Sequence, residues 1–302
     1  MRSRSSGNSS KFFAAIVAIL LSLPIVFYAF AQNSRPPRTN ETRSLFQGVT
    51  YQRQAWSSPR PVMLHLVTIN LTAPGIKPFV TPASKTANPT FETNARTVSE
   101  FTDEFEVQIA INANFFYPFR EETPLDFHPQ SGDLVNSLGQ STSEGDTYSP
   151  AQSTWSALCF YAQNRVQIVE NGICPPGVLQ AVAGNGLLIK QGQPVPPPTN
   201  AGDTKAYART VVAIDKTGRK LWLIQVDGKQ FQYSEGLKLS EINDFLLKLG
   251  ADSALNLDGG GSVTLVAQTP QGAQVLNAPI HTKIPMRERP VANHLGFFAK
   301  PL

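Results

Sequence analysis

Cysteine and histidine are nearly missing from this 302-residue chain, at two and four copies. Neither CxxC nor HExxH spacing occurs among them, which excludes the common zinc patterns. Charged residues make up only 16%. Beyond the N-terminal segment there is no Lys/Arg run and no interleaved aromatic stripe, so the electrostatic footprint of a nucleic-acid-binding protein is lacking. The most glycine-rich stretch fits neither the P-loop pattern nor the GxGxxG dinucleotide pattern. No repeat of fixed period runs along the chain. What is abundant is turn chemistry: 24 prolines and 21 glycines argue against a helical bundle, a coiled coil or full disorder.

The N-terminus carries Arg2, Arg4 and Lys11 with no acid, then the apolar run Phe12–Ala31, which ends on Ala29-Phe30-Ala31. A basic region, an apolar region and a small-residue exit describe a secretory signal. The run is also long enough to span a bilayer, so an uncleaved anchor stays open. Either way the chain is expected to be exported, whether periplasmic, extracellular or anchored facing outward, with membrane contact only through an uncleaved residue 1–31 segment. Without those residues the formal charge falls from +4 to +1. Residues 32–59, rich in Arg, Pro, Ser, Thr and Asn, read as a linker, and 60–302 as one catalytic domain. In an oxidising compartment Cys159 and Cys174 are expected to pair, on adjacent strands flanking Arg165–Glu170.

Apolar patterning predicts strands at Val62–Leu71, Gly75–Val80, Val107–Asn112 and Ser253–Asp258, with a hairpin of Arg209–Asp215 and Lys220–Gly228. Thr97 with Glu100 forms a capping-box signature, and Ser240 reads as the cap of a second helix stopped by Gly250. The long polar stretch 120–156 reads as a lid or binding loop, and 191–208 as a proline-rich loop. Strands outnumber helices, so the fold class is α+β with a mixed or antiparallel sheet core.

Residues 253–265, "SALNLDGGGSVTL", give up three side chains in a row after an apolar strand and an aspartate. Such a run is costly in backbone entropy unless something approaches closely. Consecutive amides here could cradle an anion, or the run could be a tight hairpin turn. Asp258 could cap its own loop or help hold a cation such as Ca2+.

The run Tyr207–Leu265, with Arg209-Thr210, Asp227-Gly228, Gly236-Leu237 and Asn256 to Ser262, resembles the phosphodiester glycosidase family. "NANFF" (Asn112–Phe116), "GNGLLIKQGQPV" (Gly184–Val195) and "ERPVANHLGFF" (Glu288–Phe298) extend the resemblance to roughly residues 60–300. Asn114 stands where glycine is expected, and Glu235 lies in a variable polar stretch.

The resemblance implies hydrolysis of a sugar-1-phosphate diester at the glycosidic bond. A phosphomonoester leaving group has a second pKa near 6, so it needs cations and N–H donors more than a general acid. Arg209 and Arg289 are the expected clamp, with the Gly259, Gly260 and Gly261 amides as cradle beside Ser262. Asp258 and Asp227 are the first carboxylates for the anomeric carbon and water, with Glu235 and Glu288 behind them. Asn112, Asn114, Asn256 and Asn293 are expected to bind sugar or loop. His294 and the pairs Phe115-Phe116 and Phe297-Phe298 read as packing or support. The expected partner is a glycan or glycosyl phosphate. The rivals are a non-catalytic carbohydrate-binding module on the same scaffold and a structural protein of the cell envelope.

Overall fold

In a computed structural model the described residues are 13, 22–84, 90–196 and 205–302. Most of the expected signal or anchor, and residues 197–204 of the proline-rich loop, lie outside them. Among the described residues no helix is long and apolar enough to cross a membrane.

Three sheets carry the architecture. The largest has eight strands in the spatial order Glu41–Phe46, Val49–Trp56, Val62–Asn70, Lys220–Val226, Arg209–Ile214, Ser253–Asn256, Gly186–Lys190 and Gln193–Pro194. A five-stranded sheet runs Gly272–Val275, Leu265–Thr269, Ile109–Asn112, His294–Phe298 and Lys77–Val80. Another runs Asp146–Ser149, Ser141–Ser143, Gln180–Gly184, Ser156–Phe160 and Val166–Val169. The strand pairs in all three are antiparallel, as between Arg209–Ile214 and its neighbours on either side, which fits the expected α+β class.

The three sheets meet at one core. Val67, Val212, Leu223 and Leu255 come to it from the large sheet, Ile109, Ile111, Leu295 and Phe297 from the second, and Leu158, Phe160 and Val182 from the third. Burying each such side chain is worth roughly 1.5–3 kcal/mol. The strand Lys220–Val226 reads as nearly continuous apolar sequence because both its faces are covered. Leu221 and Leu223 face the common core, while Trp222, Ile224 and Val226 face a helix at Leu239–Leu249 through Ile242 and Leu246.

The helix Val98–Phe105 begins as its sequence predicts. Thr97 Oγ1 accepts from the Glu100 N–H at 3.1 Å, and Glu100 Oε2 accepts from the Thr97 N–H at 2.7 Å. Val98 and Phe101 then pack on Phe79, Val107 and Val266. Gly250 ends the second helix at a φ of 81°. The cap expected at Ser240 is corrected: the helix starts at Leu239, and the Lys238 N–H donates to Glu241 at 2.8 Å.

Two further expectations give way. Residues 41–56, inside the supposed linker, form the first two strands of the large sheet, with Val49 and Tyr51 buried. The polar stretch 120–156 is not one open loop but is interrupted by short strands, among them Arg120–Glu121, Phe127–His128, Leu134–Ser137, Ser141–Ser143 and Asp146–Ser149. Cys159 and Cys174 do form a disulfide. However, Cys174 lies in the loop after Val166–Val169 and not on an adjacent strand.

Candidate active site

The loop from Asn256 to Ser262 leaves the middle of the large sheet and is fixed by its own backbone. The Leu257 N–H donates to Thr210 O at 2.9 Å and the Asp258 N–H to Ala113 O at 3.0 Å. Asn112 braces it: Nδ2 donates to Asp258 O at 2.6 Å, while Oδ1 accepts from Thr210 Oγ1 and the Thr264 N–H. Asn112 is thus a loop support, one of the two roles expected of it.

Each glycine is closely packed, Gly259 against backbone and Gly260 and Gly261 against the ends of two side chains. A Cβ on Gly259 would lie 2.7 Å from Ala208 O, on Gly260 2.7 Å from the Tyr207 hydroxyl, and on Gly261 2.4 Å from Arg289 Nη2. Gly260 also has a φ of +66°, which L side chains rarely adopt. The expected amide cradle is corrected. The Gly260 N–H already donates to Ala208 O at 3.0 Å, and only Gly259 of the three lines the neighbouring cleft.

That cleft has a volume of about 340 Å³ and is lined by Phe115, Phe116 and Phe119, with Arg209, Asp258 and Arg289 among its polar groups. Asn185, Asn256 and Tyr207 complete the polar lining. Arg209 sits at the start of its strand, its guanidinium 5.7 Å from the Tyr207 ring centre and its Nε donating to Leu237 O at 3.4 Å. Asn256 Nδ2 donates to Asn185 Oδ1 at 2.8 Å, whereas Asn256 Oδ1 is buried without a partner. A buried acceptor left open in a cleft wall is a place for a ligand donor.

Asp258 is buried. Ser262 Oγ donates to its Oδ2 at 2.6 Å and in turn accepts from Arg289 Nη1 at 3.2 Å, so the guanidinium reaches Asp258 through the serine hydroxyl. Burial raises the carboxyl to about 6, outweighing the lowering by Ser262 and Arg289. The arginine across Ser262 makes this a poor setting for Ca2+, whose sites are built from several oxygens. Among the described residues no group of three or more His, Cys, Asp or Glu could hold a metal ion.

Arg289 has two more partners, Nε donating to His281 Nδ1 at 3.2 Å and Nη2 to Glu121 Oε2 at 2.5 Å. Accepting at Nδ1 requires a neutral imidazole. Burial and then the Arg289 charge lower His281 to about 4, in agreement.

Several expected site residues lie elsewhere. Asp227 is fully buried away from the cleft, its carboxylate accepting from His65 Nε2 at 3.1 Å, Asn277 Nδ2 at 2.9 Å and the Ala278 N–H at 3.1 Å. It ties two elements together, and the expectation that it shares a cleft with Asp258 is corrected. Glu288 accepts from the Ser99 N–H and hydroxyl in the first turn of a helix. Glu235 lies outside the cleft lining, its N–H bonded to Pro61 O. Asn114 bridges Leu138 O, Ser141 Oγ and the Ala183 N–H. Asn293 donates to the Tyr148 hydroxyl at 2.7 Å and does not line the cleft. His294 is buried between Thr81 and Arg96 O and stacks on Phe101. Phe297 belongs to the core, but Phe115 and Phe116 face the cleft.

Tyr207, Asn185, Phe119, Glu121 and His281 escaped the sequence reading. Two of them did stand in quoted stretches, Tyr207 at the head of the run 207–265 and Asn185 within Gly184–Val195.

Comparison with known proteins adds a family. The sequence model of a family described as "Phosphodiester glycosidase" matches residues 105–298. Two curated relatives, both N-acetylglucosamine-1-phosphodiester alpha-N-acetylglucosaminidase, share a segment of 59 residues with this chain. The cattle enzyme is 49% identical there and the human enzyme 46%. That segment is 20% of this chain and 11% of either enzyme. Among solved structures, the zebrafish N-acetylglucosamine-1-phosphodiester alpha-N-acetylglucosaminidase catalytic domain, auto-inhibited by pro-peptide, superposes with a TM-score of 0.57 at 19% identity, covering 90% of this chain and 93% of that one. A hypothetical protein from Synechocystis gives a TM-score of 0.62 at 18% identity over 88% of this chain and 64% of that one. At those identities the likeness is one of fold.

Proposed function

From the premise that this chain belongs to the phosphodiester glycosidase family, we propose that it is an exported hydrolase cleaving the glycosidic bond of a sugar-1-phosphodiester. The products are the free sugar and a phosphomonoester. The observation that carries this reading is convergence: Asp258, Arg209, Arg289 and Asn256 line one cleft of about 340 Å³, a volume at the lower end of small-molecule sites.

The chemistry divides among these residues. A departing phosphomonoester is already a good anion and calls for guanidinium donors, which Arg209 and Arg289 supply. The anomeric carbon needs a carboxylate opposite developing positive charge. Asp258 takes that role, directly or by deprotonating water, with Ser262 and Arg289 holding its orientation. Poised near 6, it is ionised at neutral pH yet basic enough to accept a proton. The open Asn256 Oδ1 offers an acceptor to a sugar hydroxyl or amide. Export is supported by the basic, apolar and small-residue order of residues 1–31.

The test is incubation of residues 32–302 with a panel of sugar-1-phosphate diesters, reading free reducing sugar and phosphomonoester. Turnover should rise with pH through about 6 and be lost in Asp258→Asn. If all diesters remain intact while glycans bind measurably, a non-catalytic carbohydrate-binding module is the correct reading.

A further inference from the structure

The three partners of Arg289 are held with very different firmness. Its own side chain is 10% exposed, whereas that of Glu121 is 29% exposed. Ser262 and His281 are buried, and His281, being neutral, adds no charge to this corner. Glu121 is carried by a short surface hairpin in which Arg120–Glu121 pairs with Phe127–His128 over two residue pairs. The hairpin closes on itself through an Arg120–Asp126 ion pair. It also meets the body where Arg287 Nη1 donates to Pro124 O at 2.7 Å and where the Phe127 ring edge meets His281 at 4.8 Å. Leu125 at its tip is 90% exposed.

Charge arithmetic at the cleft makes this arrangement informative. Asp258 and Glu121 are the carboxylates at this corner, against Arg209, Arg289 and the nearby Lys229 and Arg287, so cations outnumber anions although Arg289 itself already holds one. A phosphodiester brings a third negative charge into a place where Arg289 is mostly desolvated. Leaving a buried guanidinium without an anion is strongly unfavourable, but exchanging one anion for another is not. Of the two carboxylates, Asp258 is buried, and only Glu121 can pass into water at little cost.

We propose that the outer edge of Arg289 is an anion subsite whose internal occupant is the Glu121 carboxylate, and that a ligand phosphate displaces it. Glu121 is then a specificity-determining residue. Neutral ligands leave it in place, whereas an anion able to bridge the Nη2 edge replaces it in the geometry guanidinium favours for phosphate. That the natural ligand is a glycosyl phosphodiester rests on the function proposed above; the subsite itself does not.

The experiment is calorimetric titration of inorganic phosphate into the purified full chain at low salt. Glu121→Gln keeps an oxygen for Arg289 Nη2 but removes the competing charge, and should bind phosphate about tenfold more tightly, equivalent to ~1.4 kcal/mol. Glu121→Asp, too short to reach, should shift affinity in the same direction and serves if the glutamine variant folds poorly. Glu122→Gln, on the same hairpin, should leave affinity unchanged. Arg289→Gln should abolish the gain in the Glu121→Gln background. An unchanged or weaker phosphate affinity in both Glu121 variants overturns the subsite, as does an equal gain from Glu122→Gln or a gain that survives loss of Arg289. Phosphate binding needs no turnover. A tenfold gain without cleavage of any diester keeps the subsite and rejects the hydrolase, and cleavage without the gain does the reverse.

Discussion

Replacing Asp258 by asparagine should stabilise the protein while silencing it, and the gain should depend on pH in a defined direction. The folded carboxyl is raised from 3.8 to about 6, chiefly by burial. A carboxyl with a raised folded pKa binds its proton more tightly in the native state, so stability is full below 3.8 and falls as pH climbs through about 6. The whole difference corresponds to ~3 kcal/mol at about 1.4 kcal/mol per pH unit. Asparagine never ionises and keeps an oxygen for Ser262 Oγ, so the variant escapes that loss. For a domain of this size the gain converts to roughly 6 °C in Tm. Thermal unfolding of both proteins from pH 4 to pH 8 measures it. The two Tm values should coincide near pH 4, separate between pH 4 and 6.5, and hold a constant gap above. A gap that stays flat across the range would refute the claim that Asp258 is a strained, buried carboxylate. It would also remove the physical basis for its basicity.

Asp227→Asn should have the opposite character. An amide cannot accept from His65, Asn277 and the Ala278 N–H together, so urea unfolding should show a loss of about 2–4 kcal/mol, while turnover per folded molecule stays near wild type. His294, lowered to about 3 mainly by burial, is neutral in the fold. Its contribution is intact above about 6.5 and drains away as pH falls toward 3. His294→Gln should therefore be less stable than wild type at pH 7 but lose about 2–3 kcal/mol less on going to pH 4.5, again by urea unfolding.

Much of this was readable along the chain where the cause is local. The Thr97–Glu100 box, the Gly250 stop and the hairpin around Gly218 depend on neighbours a few residues away, and they form as the sequence predicts. The supposed linker failed for a different reason. Its alternation is carried by Val49 and Tyr51 amid polar residues, and only pairing with Val62–Asn70 shows which face is covered. Asp227 and Asp258 look alike in sequence, each an aspartate at a strand end before glycine. What separates them is distant: His65 and Asn277 around one, Arg289 and an open cleft around the other. Glu121 could not be found at all without coordinates, because its importance comes from a guanidinium 168 positions away.

The three adjacent glycines bear on how this loop can drift in evolution. Because each one abuts a separate neighbour, alanine at each would displace something different. At 259 the added methyl would push on the backbone beside Arg209, at 260 on the Tyr207 phenol, and at 261 on the Arg289 guanidinium. A single short turn thus sets the separation between an aromatic wall and two cations contributed from far apart in the chain. Variation that retunes what the cleft accepts is therefore more readily tolerated on the exposed rim than at this turn.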